Sequence, residues 1–505
     1  MRKLLVALLL SGAASSALAE STLPQAKDSY FKAAQAELAG KLQLRPNTNR
    51  ATNIILFIGD GMGISTLTAA RIYSGQARNA DGESSSLAID RMPYSALVKT
   101  YSHDAQVSDS APTATALTTG VKTRNDIVGL DQTALVDDCA GSRGKAPRTI
   151  FEIAETMGRA TGVVSTARIT HATPAAAYAH VANRDWENDS ELPVAAKTEG
   201  CIDIARQLVE WPYGDGFEVV LGGGRAQFLP TSQADPEALQ ERGFRTDGRD
   251  LVAEWRRRHP GGTYIWNKAG FDALQPGWSG PLLGLFERDH MEYEADRARD
   301  AAGEPSLAEM TRKAIATLSI DRDGFILMVE SGRIDHAHHE GNAARALQDV
   351  VELDRAVEAA LSMVDLDETL IIVTADHSHT MTINGYPRRG NPILGHVVGV
   401  TGELTLGTDA RAYTTLSYAT GPGGTAGVRS DPGAVDTQAV DYKQQALVPM
   451  RSATHAGEDV VVRAAGPYAH LLEGTIEQNL IFHVMVHAAG VRESSTAGDP
   501  LSTEP

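Results

Sequence analysis

The sequence predicts an α/β fold, a three-layer sandwich in which helices cover both faces of a largely parallel central sheet. Short continuous apolar runs recur along the chain, and such runs are typical of strands that are buried on both faces. Helical segments lie between several of these runs. Apolar strands that alternate with helices indicate a parallel sheet between two helical layers.

The predicted elements follow one another along most of the chain. Strands are expected at 53–58, 162–164, 219–221, 325–329, 370–373 and 460–462. The spacing of apolar residues predicts helices at 24–42 and 343–363. Ser306 and Glu309 form the start of another helix, because a serine and a glutamate at this spacing can each cap a backbone amide.

The ends of the sequence bear on where the protein is used. Arg2 and Lys3 precede an apolar run, and 17–19 has the small-x-small form of a signal-peptidase site, so we expect 1–19 to be a signal peptide. The polar segment 493–505 carries no lipid-anchor signal. We therefore expect an exported protein, periplasmic or secreted, with no membrane anchor. Residues 20–505 are expected to form one domain.

One long stretch interrupts the alternation of strands and helices. Residues from about 381 to 450 are rich in Gly, Pro and Thr, which favour turns and loops. We interpret this stretch as a large insertion, after which the chain returns to the domain at His455.

The net charge bears on the possible partners of the protein. The formal net charge of −18 argues against a nucleic-acid partner, because no basic surface is available to displace counterions. An acidic protein that binds phosphate needs local cations, and metal ions can supply them.

The two cysteines, Cys139 and Cys201, favour one disulfide in an exported chain. Two buried free thiols are the alternative.

The stretch from Asp109 to Ala116 contains a candidate nucleophile. Ala114 and Ala116 favour helix, and Pro112 is tolerated only in the first turn of one, so Ser110 is expected at a helix N-terminus. Unpaired amides and the helix dipole favour an anion there. The alternative is that Asp109 or Ser110 only caps the helix.

Polar residues follow the predicted strands at their carboxyl ends, where open α/β sheets bind ligands. Asp60 follows the first strand, Glu330 ends another, and His171 and Thr173 lie shortly after a third. Asp376 and His377 follow the strand at 370–373. We therefore expect several segments to contribute carboxylates and imidazoles to one site.

Three metal positions can be assembled from these residues. Asp335 and His339 share one face of a helical turn, and His455 can supply a third zinc ligand. Asp60, Asp376 and His377 can hold a second zinc. Asp60, Glu330 and the Thr173 hydroxyl are oxygen ligands that suit magnesium. A structural role is the alternative for each histidine taken alone.

Two zinc ions beside a serine at a helix N-terminus are suited to phosphoryl transfer through a covalent intermediate. A guanidinium should hold the phosphate oxygens in two-point contact. Arg184 is our candidate because it follows the segment that holds His171 and Thr173, and Arg168 and Arg333 are the alternatives.

The chain resembles the alkaline phosphatases from about Asn53 to Ala489. The matching motifs are Gly59-Asp60-Gly61-Met62-Gly63, Asp109-Ser110-Ala111, Ala172-Thr173-Pro174, Glu330 with Asp335 and His339, Thr374-Ala375-Asp376-His377-Ser378-His379, and Thr454-His455. The resemblance implies that Ser110 is phosphorylated and that Arg184 holds the phosphate. It assigns two zinc ions and one magnesium ion to the three ligand sets above, phosphate monoesters as substrates, and a homodimer formed with help from 24–42 and the insertion.

Some positions are similar to the animal branch of the family and to some marine bacterial members. His171 and His336 stand beside the metals where many bacterial members have aspartate and lysine. The segment 222–225, the crown-like insertion and the placement of the cysteines are similar to that branch as well. Its members also carry a calcium site, for which the counterparts here are Glu237, the Phe286 carbonyl, Glu287 and Glu304.

Three functions remain for comparison at this stage. The leading one is a phosphomonoester hydrolase, and a phosphodiesterase or sulfatase of the same superfamily is the second. Ser110-Ala111-Pro112 does not resemble the sulfatase motif. The third is a protein that binds phosphate or stores metal without catalysis, for which a serine nucleophile between metal ligands would be unnecessary.

Overall fold

The computed structural model describes residues 23–275 and 277–491, so the predicted signal peptide at 1–19 lies outside the described residues. The chain divides after Arg45 into two compact units. In the first unit, helix α1 (Ser29–Lys41) begins where the Asp28 side chain accepts a hydrogen bond from the Phe31 amide at 3.0 Å. This helix agrees with the helix predicted at 24–42.

The second unit contains the strands that carry the site. In chain order they are β1 (Asn53–Gly59), β2 (Tyr94–Lys99), β3 (Ala160–Arg168), β4 (Val219–Gly223), β5 (Thr263–Ile265), β6 (Leu282–Leu285), β7 (Phe325–Ser331), β8 (Thr369–Ala375), β9 (Ser378–His379), β10 (Met381–Ile383), β11 (Leu416–Gly421), β12 (Ala446–Pro449), β13 (His455–Ala456), β14 (Val460–Ala465) and β15 (Gly474–Glu477).

Ten of these strands form one mixed sheet in the order β15-β2-β14-β8-β1-β7-β3-β4-β6-β5. Strand β14 is antiparallel to β2 and β8, and the other neighbouring pairs are parallel. The prediction of a largely parallel sheet is confirmed.

The α-helices of this unit alternate with the strands. They are α2 (Ile64–Ala77), α3 (Ser110–Thr119), α4 (Ile150–Thr156), α5 (Ala172–Ala175), α6 (Val194–Glu199), α7 (Ile204–Val209), α8 (Arg225–Phe228), α9 (Leu251–Arg258), α10 (Lys268–Ala273), α11 (Leu307–Leu318), α12 (Arg333–His339), α13 (Ala343–Met363) and α14 (Leu480–Ala488). The predicted capping box at Ser306 and Glu309 is present at the start of α11. In the described part of the chain, no helix combines the length and apolarity needed to cross a bilayer.

Helices cover the centre of the sheet. Every residue of β7 and β8 is buried, which requires that both faces of these strands be covered. Helices α2, α11 and α13 pack together, and α11 and α13 contact β7. Helices α3, α4 and α14 form another packed group, in which α4 contacts β3 and β7. The fold is therefore the predicted sandwich, with the carboxyl ends of the central strands left open to the site.

The predicted insertion forms a sheet of its own. Strands β10, β11 and β12 pair in that order, and none of them belongs to the ten-stranded sheet. Strand β10 is antiparallel to β11, and β11 is parallel to β12. This separate pairing explains why residues 381–450 interrupt the alternation of strands and helices.

The predicted disulfide is confirmed. Cys139 and Cys201 are bonded to each other, with their Cα atoms 6.0 Å apart and a separation of 62 positions along the chain. The closed loop contains β3, α5 and the segments that flank α5, and it includes His171, Thr173 and Arg184.

The buried carboxyl group of Glu155, in α4, leads us to expect that the folded protein loses stability at alkaline pH. Its side chain is buried, and burial raises its pKa to about 8, although the Thr161 hydroxyl donates to its carboxylate at 2.6 Å. The folded state therefore holds a proton that the unfolded chain releases near pH 4.5. Stability from this group is full below the unfolded pKa and is lost as pH rises through about 8.

We expect Glu155→Gln to remove this pH dependence, because glutamine stays neutral and can still accept the Thr161 hydroxyl. Between pH 6 and pH 9.5 the wild type should lose about 2 kcal/mol more unfolding free energy than the variant. Urea denaturation at both pH values measures the difference, with Glu473→Gln on the exposed surface as the control. Equal pH dependence in all three proteins would contradict the expectation.

Candidate metal and catalytic site

Four adjacent strands of the sheet contribute residues to one edge. In the order β8-β1-β7-β3, all of them run parallel, so their carboxyl ends meet at the same side. Asp376 and His377 follow β8, Asp60 follows β1, and Glu330 is the last residue but one of β7. His171 and Thr173 follow β3 and lie at the start of the short helix α5. These predicted site residues therefore come from neighbouring strands, whereas Asp335 and His339 lie in α12 and His455 lies in β13.

Asp109 caps helix α3 and leaves Ser110 available for chemistry. The Asp109 carboxylate accepts the Ala111 amide at 2.7 Å, while Ser110 is the first residue of the helix. The Ser110 Oγ lies 3.3 and 3.4 Å from the two carboxylate oxygens of Asp60 and 3.2 Å from Nε2 of His377. The alternative in which Ser110 is only a helix cap does not describe this arrangement.

The first group of metal-ligand atoms joins Asp335, His339, His379 and His455. The Asp335 carboxylate lies 3.2 Å from Nε2 of His339 and 3.3 Å from Nε2 of His455, and it also contacts His379. Burial would raise the pKa of Asp335, but His339 and His379 hold it well below its usual range. An ionised carboxylate among three imidazoles is a donor set that fits zinc.

Hydrogen bonds to backbone carbonyls orient two of these rings. The Nδ1 atoms of His339 and His455 lie 2.7 and 2.8 Å from the carbonyl oxygens of Ala453 and Ser108. Because a carbonyl only accepts, each Nδ1 carries a proton, and each Nε2 of a neutral ring presents a lone pair. These two Nε2 atoms are 3.2 Å apart. Two facing lone pairs repel unless a cation lies between them, so the rings fit a bound metal ion.

The second group joins Asp60, Asp376 and His377, all of which are fully buried. Nε2 of His377 lies 3.4 Å from an oxygen of each carboxylate. Asp376 is held in place by the amides of Gly61 and His377, at 3.0 and 2.8 Å. Burial raises the pKa of Asp60 well above its usual range, and the neighbouring Asp376 raises it further. A cation beside both carboxylates would relieve this repulsion.

The third group joins Asp60, Glu330 and His171. The buried Oε1 of Glu330, the Oγ1 of Thr173 and the Nδ1 of His171 make no hydrogen bond with the described residues. Burial raises the pKa of Glu330 to about 7, although the Ser165 hydroxyl favours its charged form. Unpartnered oxygens beside a shared carboxylate are the donors that magnesium prefers, with water completing the shell.

Arg184 lies at the edge of this site. Its Nη1 donates to Asp109 at 3.0 Å, and its Nη2 lies 2.9 Å from Nε2 of His171. The alternative arginines are engaged elsewhere. Arg168 pairs with Glu187 and Asp289, and Arg333 lies 3.7 Å above the Tyr293 ring.

His336 belongs to a cluster of three imidazoles and to none of the four groups of possible metal ligands found in the described residues. Its ring centroid lies 5.4 Å from that of His171 and 4.0 Å from that of His290. Burial lowers the pKa of His336 to about 3, and the nearby Arg333 contributes to the same direction. The neutral ring therefore adds no charge beside the third group.

Gly61 permits the close approach of the two zinc-type groups. Its φ is +67°, and a Cβ at this position would lie 2.6 Å from the His379 ring and 3.1 Å from Asp335. A side chain would therefore be strained in its backbone and would collide with the first group.

Sequence reasoning assigned no role to His379, His290 or Asp300. His379 lies opposite His455 in the β9–β13 pairing, and His290 belongs to the imidazole cluster. The alternation of His377 and His379 was a signal for the first of these residues. Asp300 joins Glu237 and Glu287 in the predicted calcium region, where the buried Glu304 has an oxygen without a hydrogen bond. The Phe286 carbonyl accepts from Arg225 at 3.0 Å.

Comparisons with known proteins agree with one another. The family model described as "Alkaline phosphatase" matches residues 51–491. The chain is 47% identical over 483 residues to the tissue-nonspecific alkaline phosphatase of Gallus gallus, covering 93% of this chain and 91% of that protein. For the Homo sapiens isozyme the identity is 44%, with 90% and 87% covered. The solved alkaline phosphatase of Thermus thermophilus is similar with a TM-score of 0.63 and 25% identity, covering 91% of this chain and 96% of that one.

Proposed function

The chain belongs to the alkaline phosphatase family and hydrolyses phosphate monoesters, and we propose that it does so through a phosphoserine intermediate on Ser110. The observation that carries this proposal is the position of the Ser110 Oγ, 3.2 to 3.4 Å from ligand atoms of Asp60 and His377. Asp109 caps the helix, so the Ser110 hydroxyl is free to attack phosphorus. The α3 N-terminus then favours the negative charge of the phosphoryl group.

We propose that Asp335, His339 and His455 hold one zinc ion and that Asp60, Asp376 and His377 hold the other. The orientation of the Nε2 lone pairs and the burial of the carboxylates support this assignment. Asp60, Thr173 and Glu330 would hold magnesium. Bound there, the zinc ions would lower the pKa of the attacking hydroxyl and stabilise the oxygen that leaves.

Arg184 is the proposed clamp for the phosphate oxygens. Its guanidinium is held by Asp109, the residue that also caps the helix carrying Ser110. Because Asp109 makes both contacts, it fixes the position of the Arg184 guanidinium relative to Ser110. A planar guanidinium can donate two parallel hydrogen bonds to a phosphate, which a lysine cannot do.

Metal analysis and a substrate panel test the function. We expect close to two zinc ions and one magnesium ion per chain, and loss of aryl phosphate turnover when a chelator removes them. Zinc and magnesium together should restore turnover. The same protein should act far more slowly on an aryl diester and an aryl sulfate. A fast diesterase or sulfatase, or phosphate binding without turnover, would overturn the proposal.

His171 is expected to weaken the magnesium position. A carboxylate there would accept two or more hydrogen bonds from magnesium-bound water, whereas a neutral imidazole adds no charge and has one lone pair, which here faces Nη2 of Arg184 at 2.9 Å. Imidazole is also a good zinc ligand. His171→Asp should retain magnesium more firmly through dialysis and should be less inhibited by excess zinc.

Magnesium content after dialysis measures this effect directly, and zinc inhibition curves provide the second readout. His180→Asn, in a histidine that hydrogen-bonds Glu152 outside the metal groups, is the matched control. If His171→Asp leaves both the magnesium content and the zinc inhibition unchanged, His171 does not tune this position.

We also propose that the protein is exported and that it forms a homodimer. A signal peptide at 1–19 would direct the protein to the periplasm or the medium. The insertion exposes large apolar side chains, among them Tyr386, Val400 and Leu447 at 92%, 86% and 82%, which supports a crown-like role in a homodimer. Light scattering at micromolar concentration tests the dimer.

Calcium would be held by Glu237, Glu287 and Glu304, with Asp300 as a further ligand.

A further inference from the structure

A buried hydrogen-bonded chain links the metal-binding helix α12 to the insertion. His338 lies in α12 between Asp335 and His339. Its Nδ1 lies 2.7 Å from the hydroxyl of Tyr418, which belongs to β11 of the insertion. Its Nε2 lies 3.0 Å from the Thr66 hydroxyl in α2. The three side chains are at most 2% exposed.

Both nitrogens of His338 have a partner of the right kind. A neutral imidazole has one N–H and one lone pair. A hydroxyl can donate or accept, so Thr66 and Tyr418 satisfy both nitrogens in either tautomer. Loss of one hydroxyl would leave a buried nitrogen without a partner, which costs free energy and favours another ring position.

We propose that Tyr418 is a positioning residue for the first metal group and acts through His338. The inference rests on the proposed function, since it concerns how that group is held. Helix α12 has only seven residues, and a helix this short depends on tertiary contacts for its position. The two hydrogen bonds of the His338 ring join this helix to α2 and to the insertion, in addition to the hydrogen bond between the His339 ring and the Ala453 carbonyl.

A second contact carries the effect to the ligands themselves. The His338 ring lies 5.0 Å from the His379 ring, and His379 contacts the Asp335 carboxylate. A shift of His338 would therefore change the room available to His379 and the direction of Asp335. The insertion thus stabilises the zinc ligands without contributing a ligand.

Tyr418→Phe tests the proposal because it removes one hydroxyl and keeps the ring. In the zinc-loaded protein we expect the variant to lose zinc to a chelator about tenfold faster than the wild type. The visible spectrum of the cobalt-substituted protein should change in band position or intensity, because the ligand geometry changes. Thr66→Val should act in the same direction, and Thr66→Ser, which keeps the hydroxyl, should resemble the wild type.

Tyr413→Phe is the matched control, since it removes a hydroxyl from the same insertion. Equal zinc loss and equal spectra for Tyr418→Phe and the wild type would overturn the inference alone. Equal defects in Tyr418→Phe and Tyr413→Phe would also overturn it, because they would indicate a general loosening of the insertion. A wild-type protein that binds no cobalt would overturn the metal assignment itself.

Discussion

Ser110→Ala is expected to lower kcat for an aryl phosphate by on the order of 10³-fold or more, equivalent to about 4 kcal/mol of barrier. The variant lacks the only hydroxyl placed within 3.4 Å of both Asp60 and His377 in the described part of the chain. Water can replace the serine, but it is not held at the start of α3. The residual activity should therefore be that of direct hydrolysis.

A covalent adduct gives the second readout for this prediction. Brief exposure of the wild type to phosphate at acidic pH should leave phosphate on the peptide that contains Ser110, which mass spectrometry detects. Ser102→Ala is the control, since Ser102 is another buried serine and its hydroxyl donates to Asp104 at 3.2 Å. Normal kcat in Ser110→Ala, together with no adduct in the wild type, would rule out covalent catalysis.

The central strands could be predicted because burial on both faces produces continuous apolar runs. Strands β1, β7 and β8 lie where the runs at 53–58, 325–329 and 370–373 predict them. Strands β2 and β5 gave no such signal. Strand β5 has three residues, and β2 alternates between buried and exposed positions, so neither has a continuous apolar run. The order of the strands also depends on contacts far apart in the chain, which no local pattern records.

The residues of the candidate site likewise divide into those that a local sequence pattern predicts and those that depend on distant contacts. Asp60, Glu330 and Asp376 could be predicted because each stands at the end of a recognisable strand. His379 could not be assigned a role, because its position depends on pairing with His455 across 76 residues of sequence. His290 lies in a loop after β6, and only the folded chain shows that it stands beside His336. Single-residue pairings of this kind come from tertiary structure.

The start of helix α3 is a case in which the sequence left two alternatives that only the structure could decide. Asp109 and Ser110 both suit the N-terminus of a helix, and a one-residue shift in its start would exchange their roles. The structure begins the helix at Ser110, with Asp109 as the cap. The Asp109 carboxylate also accepts from Arg184 and from the Asp126 amide, at 3.0 and 2.7 Å. These distant contacts fix the start of the helix.

Removal of the disulfide is expected to destabilise the fold by about 4 kcal/mol in the chain-entropy model, because Cys139 and Cys201 close a loop of 62 residues. Cys139→Ser with Cys201→Ser should shift urea denaturation to lower concentrations. The slope with urea should change as well, because the unfolded chain without the crosslink is more expanded.

The effect on catalysis should be much smaller than the effect on stability. Arg184 and His171 lie within the closed loop, yet Arg184 is held by Asp109 and by its own amide, which donates to Asp126 at 2.7 Å. At 25 °C the double variant should therefore keep a kcat within a few-fold of the wild type while unfolding at lower urea. Two free thiols in native protein expressed in the periplasm, or equal denaturation midpoints for both proteins, would contradict this account. A large fall in kcat with unchanged stability would instead show that the crosslink positions Arg184.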